Sequence, residues 1–212
     1  MNEYEAVGLK FLAKIDYLAK KKGLKTQDSV LSVLDRITLR KGFHIGLKLA
    51  AEEGMGDESA FYCYGDVPKE FIESEFERRV SPYASSAQLF RGLSVEPTAM
   101  GAWQAYLLLV SETLRPVFWH GGYIVRTYFF DREYYNGILP LHGEPVDIPI
   151  EKIPQPTVEL KPKKAIIRCP YWNDWGGLML ESFTIKFLDD GKITVGSHPS
   201  KVLYKYQSML CF

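Results

Sequence analysis

The chain has 212 residues, with 26 lysines and arginines against 26 aspartates and glutamates, 46% hydrophobic and 25% charged residues, and three cysteines. This is the composition of an ordinary globular protein and excludes a disordered chain. The formal net charge of zero leaves no global field to recruit nucleic acid or an anionic membrane, so such contact would need a local basic patch. The length suffices to bury a core without staples, and a single domain over residues 1–212 is expected.

The first residues, Met1-Asn2-Glu3-Tyr4-Glu5, are acidic, and Lys10, Lys14 and Lys20 interrupt every apolar run that could serve as a secretory signal. The longest apolar stretch, around Leu107–Val110, falls far short of the ~20 residues of a spanning helix. Cys63, Cys169 and Cys211 are odd in number and widely spaced, as reduced thiols are, and no Asn-x-Ser/Thr sequon occurs. A soluble, cytoplasmic protein is expected.

Four helices are expected. Asn2 and Glu5 form a capping-box start, Val7, Phe11, Ile15 and Leu18 recur on one face, and Lys20-Lys21-Lys22-Gly23 stops the helix. A second helix runs from Thr26 or Asp28 with Val30, Val33, Leu34 and Ile37 at helical spacing, ending near Lys41-Gly42. Asp66 and Pro68 open a third, carrying Phe71, Ile72, Phe76 and Val80, and Ser81-Pro82 ends it. The fourth begins near Pro97 with Met100, Trp103, Leu107, Val110 and Leu114 on one stripe and ends at Arg115-Pro116.

Strands are expected where the period falls to two. Phe43, Ile45, Leu47 and Leu49 alternate with polar residues, and Ala60–Tyr64 can pair with them across the Glu52–Glu58 loop. Val117-Phe118-Trp119 and Tyr123–Phe130 read as a hairpin about His120-Gly121-Gly122. Six of the twelve prolines fall between Pro140 and Pro162, which predicts an extended connector (residues 140–162) or sheet edge. Phe183, Ile185 and Phe187 lead into Asp189-Asp190-Gly191-Lys192 and then Ile193 and Val195, a strong hairpin signal. Leu178 and Leu180 have the opposite parity, so a bulge near Glu181-Ser182 is expected if all face one core. A last strand covers about Lys201–Leu210. The expected fold is α+β, a mostly antiparallel sheet packed against about four helices concentrated in the N-terminal half.

Several reaction classes lack their parts: there is no phosphate loop, C-x-x-C, H-E-x-x-H, G-x-S-x-G elbow or EF-hand spacing. Gly54-Met55-Gly56 has Ser59 where a dinucleotide fingerprint needs its third glycine, and His120-Gly121-Gly122 serves as a turn. His44 and His198 stand alone, whereas His142, Glu144 and Asp147 could converge on a metal only as a sparse set. Cys169 follows Arg168 near Lys163 and Lys164, the best setting for a reactive thiol here, yet Ile166 and Ile167 beside it favour a buried structural cysteine. The basic runs Lys20–Lys25, Arg36–Lys41 and Lys161–Lys164 suit helix C-termini and the connector.

The outstanding segment is Tyr171-Trp172-Asn173-Asp174-Trp175, read as a loop between Pro170 and Gly176-Gly177. Its aromatics either form a binding surface together with Trp119 and Tyr123 or cap the end of the sheet core. The expectation is a non-catalytic binding protein using Trp119, Tyr123, Tyr171, Trp172, Asn173, Asp174 and Trp175, an inhibitor or immunity-type protein being one form. Its partner would be a protein or small molecule, with no nucleic acid, membrane, cofactor or metal and no catalytic residue. The alternative is a small hydrolase using Cys169 or a metal near His142.

Overall fold

The expected capping box closes reciprocally at the start of α1 (Glu3–Ala19): the Asn2 amide donates to Glu5 Oε2 at 2.7 Å and the Glu5 amide to Asn2 Oδ1 at 3.0 Å. Phe11, Ile15 and Leu18 lie on the buried face, as their spacing predicts. The computed structural model describes residues 1–19, 28–51, 57–65, 89–111, 118–119, 122–123, 127–128, 132, 135–140, 144–174 and 176–206.

The second expected helix is not one. A 3₁₀ turn at Asp28–Val33 is followed by strand β1 (Ile37–Leu39), because Ile37-Thr38-Leu39 finds a partner in a later strand, Leu93–Val95. Val30, Leu34 and Ile37 are all buried, so the apolar spacing is met by a turn plus a strand, which a short periodic run cannot distinguish from a helix. The third expected helix, at 66–80, lies outside the described residues. The fourth exists as α2 (Ala99–Leu109), capped by Thr98 Oγ1, which accepts from the Gly101 amide at 3.0 Å. Gly101 is required there, since a Cβ would sit 2.2 Å from the Glu96 carbonyl oxygen. Instead of one stripe, every residue from Gly101 to Leu108 is buried.

The β-structure is antiparallel throughout the described pairings. Strands β2 (Phe43–Ala51) and β3 (Asp57–Gly65) pair as expected, and Leu93–Val95 is β4, against β1. The short strands β5 (Phe118–Trp119) and β6 (Gly122–Tyr123) pair with each other. The main sheet contains β7 (Thr127–Tyr128), β8 (Thr157–Lys161), β9 (Lys164–Asn173), β10 (Gly177–Phe187) and β11 (Ile193–Lys205). β9 and β10 are central, β11 pairs along the far side of β10, and β7 and β8 share the other side of β9. At the Asp-Gly hairpin, Asp190 and Gly191 both take positive φ, 60° and 70°, as that dipeptide permits.

The fold class is thus mostly β, correcting the expectation of an α+β fold with about four helices. Among the described residues only two α-helices occur, since one expected helix is a 3₁₀ turn and a strand. The end of the proline-rich connector is itself strand β8, and the expected final strand begins at Ile193 rather than Lys201. The bulges sit on β11. Leu178 faces Tyr204 but Met179 faces Val202, and Leu180 faces Lys201 but Ser182 faces His198, so the extra residues lie near Leu203 and Pro199-Ser200.

Strand alternation sorts the main sheet into two faces. On the inner face Ala165, Ile167, Cys169, Tyr171, Ile185 and Phe187 join the cluster that α1 and α2 complete with Phe11, Trp103 and Tyr106. The Trp103 and Tyr106 rings stack at 5.0 Å, and Tyr106 meets Phe183 at 5.6 Å. On the outer face the cross-strand neighbours Trp172 and Leu178 form a separate cluster with Ile138, Ile148 and Ile153. Leu178 therefore serves a different core from Phe183, and its opposite parity needs no bulge in β10.

Candidate functional site

The aromatic segment is largely strand. Tyr171, Trp172 and Asn173 end β9, and a turn closed by the Gly176 amide on the Asn173 carbonyl (3.1 Å) leads into β10. Tyr171 faces the inner core beside Tyr128, with ring centroids 5.9 Å apart. Trp172 is 2% exposed on the outer face, packs against Tyr206 at 5.0 Å, and donates from Nε1 to Asp174 Oδ1 at 2.5 Å. Asp174 is itself buried, and Asn173 half-buried. Trp175 lies outside the described residues, and the side chains of Trp119 and Tyr123 are likewise undescribed, their strands pairing with each other. The aromatics that the structure places thus close two cores.

A second polar cluster lies beneath the inner face, which sequence reasoning missed. Glu181, 3% exposed, accepts on Oε1 from the Tyr106 hydroxyl and from the Tyr128 hydroxyl, the latter at 3.0 Å. Three elements meet at that oxygen: α2, β7 and β10. Cys169, opposite Glu181 in the ladder, is fully buried. Burial pushes its thiol well above the ordinary value; the Tyr106 hydroxyl lowers it in part, and the charges of Glu181 and Glu5 raise it further. A thiol so held remains protonated and enclosed, the opposite of the electropositive, accessible setting of a nucleophile. Burial likewise drives the Tyr106 hydroxyl well above its usual range, with Cys169, Tyr128 and Glu181 adding to the effect.

A third polar cluster fastens the connector. Glu5, completely buried, pairs with Arg132, whose guanidinium also donates to the carbonyls of Ile150 (2.9 Å), Ile153 (2.7 Å) and Pro154 (2.6 Å). The Asn2 amide side chain donates to the Pro156 carbonyl at 2.9 Å. The N-terminal cap of α1 therefore anchors residues 150–156, which lead straight into β8.

With the reactive groups enclosed, the accessible chemistry is on the outer face, where the connector leaves one end open. Cross-strand partners share a face, so the rows there read Thr157, Arg168, Ser182 and His198, then Glu159, Ile166, Thr184 and Gly196, then Lys161, Lys164, Lys186 and Thr194. His198 Nε2 and Thr184 Oγ1 are hydrogen-bonded at 2.8 Å. Glu159 lies 2.9 Å from Lys161 and 3.5 Å from Arg168, and its hydrogen bond to Lys161 holds its carboxyl below the ordinary value, helped by Arg168. Among the described residues no acid pairs with Lys164 or Lys186, which face each other directly. Lys161–Lys164 was legible in the sequence as a weak basic run; that Lys186 joins it required the register.

Among the described residues no three of His, Cys, Asp and Glu gather as a metal site, and His142 lies outside those residues. No helix among them is long and apolar enough to cross a membrane. No family model, no curated protein and no solved structure matches the chain.

Proposed function

We propose that the chain is a non-catalytic binding protein whose contact surface is the open end of the main sheet's outer face, formed by β8–β11. The observation that supports this reading is a division of labour within single strands. Alternate residues of β9 and β10 place Cys169, Glu181 and their tyrosine partners inside, while Lys164, Arg168, Thr184 and Lys186 stand outside. Side chains on paired strands are held more precisely than those on loops, which suits recognition by a preformed surface. This reading moves the contact surface away from Tyr171 and Trp172, whose area is already used in packing. An inhibitor or immunity-type protein, acting by covering a partner, is one form of it, and a buried free thiol at Cys169 suits the reducing cytoplasm.

The test is photo-cross-linking in cells with a benzophenone amino acid at Thr194, on the open face, and at Tyr17, exposed on α1. A discrete adduct is expected from Thr194 alone, and the protein in it should bind the purified chain directly. Equal adducts from both positions, or none from Thr194, would defeat the proposal.

A further inference from the structure

The lysine row violates a pairing rule. Lys161, Lys164 and Lys186 occupy one level of three adjacent strands, and strands lie about 4.8 Å apart, so like charges stand directly opposite one another twice. Such opposition weakens a sheet, and the acid that the described residues place beside the row, Glu159, is shared between Lys161 and Arg168. Lys163 adds a fourth cation at the β8–β9 turn, where it holds a positive φ of 58° that glycine or asparagine would adopt more easily. A row with these local costs and, among the described residues, no internal partner for Lys164 or Lys186 is complementary to negative charge supplied from outside.

We infer that the Lys161–Lys164–Lys186 row, extended by Lys163, recognises a carboxylate-rich segment of a partner protein. The inference rests on the proposed binding surface and names its partner class. Carboxylate is favoured over nucleic-acid phosphate on three grounds. The open rows hold no phenylalanine, tyrosine or tryptophan on which a base could stack, and the one ring in them, His198, is tied to Thr184 at 2.8 Å. The Arg168 guanidinium, the fork that suits phosphate best, has a carboxylate beside it, Glu159 Oε2 at 3.5 Å from Nη1, which repels a phosphate there. The chain as a whole has no net positive charge to hold a polyanion at physiological salt.

The experiment measures fluorescence anisotropy of a labelled Glu-rich peptide, its Gln-for-Glu counterpart and an oligothymidylate of equal charge, at low and physiological ionic strength. The full chain is compared with the Lys164→Thr, Lys186→Thr double variant. The Glu-rich peptide should bind best, more weakly as salt rises, and about tenfold more weakly to the variant. The variant's thermal midpoint should be equal or higher, since a like-charge contact is removed; this separates lost recognition from lost folding. The inference is overturned if the oligothymidylate binds as tightly as the peptide, if the variant binds the peptide undiminished, or if the peptide fails to bind at low salt. In each case a persisting Thr194 adduct leaves the surface reading standing, so the two failures are distinguishable.

Discussion

The outer face of the main sheet has two ends built from the same strands. At one end Trp172 of β9 and Leu178 of β10 meet three isoleucines of the connector, and the Trp172 N–H is satisfied by a buried Asp174. At the other, β9 and β10 present Lys164 and Lys186, and the connector has already turned into β8. Both ends contain a buried or half-exposed acid, but Asp174 is spent on an indole, whereas Glu159 is spent on two exposed cations. The closed end gains by excluding water and the open end loses by opposing like charges, so the first is explained by stability and the second is not.

Four changes would break or sharpen that contrast. Replacing Trp172 by Ala empties the closed end and leaves Asp174 without its indole donor, so unfolding in urea should show a loss of about 3–5 kcal/mol; a loss below 1 kcal/mol, on the same scale, would mean that the cluster is not a core. Glu181→Ala removes the acceptor shared by Tyr106 and Tyr128, and about 2–3 kcal/mol should be lost, with Glu181→Gln retaining part of it. At the open end the sign reverses. Lys163→Gly relieves the positive φ and should stabilise by up to about 1 kcal/mol, so a destabilised variant would refute strain at that turn.

The smallest effect is a dependence on pH. Cys169 keeps its proton in the folded chain beyond the pH at which an unfolded thiol, with a pKa of about 8.5, loses it. The unfolded chain then binds fewer protons, so stability complete below that value should fall as pH rises above it. Cys169→Ala should flatten the fall in denaturation midpoint between neutral and alkaline pH, and an unchanged slope would show that Cys169 does not contribute. Thiol labelling of Cys169 at neutral pH should accordingly wait on unfolding.

Patterns carried within a few residues were legible. The Asn2–Glu5 capping box, the Phe43–Tyr64 strand pair and the Asp190-Gly191 turn each depend on neighbours in sequence, and each appears in the structure. The helix expected over Val30–Ile37 failed because Ile37-Thr38-Leu39 pairs with Leu93–Val95, a partner more than fifty residues away. The bulge expected near Glu181-Ser182 was placed on the wrong strand for a related reason: Leu178 has a second core to fill, and the irregularity falls on β11 at Pro199-Ser200 and Leu203.

By itself the sequence determined the local signals: caps, turns, alternation, the zero net charge and the absence of familiar catalytic motifs. Tertiary structure alone decided that Tyr171 and Trp172 face opposite cores, that Glu181 joins Tyr106 and Tyr128, and that Lys186 stands beside Lys164. The physical reason is register. A strand fixes which of its residues share a face, but only the strand beside it fixes which side chains become neighbours.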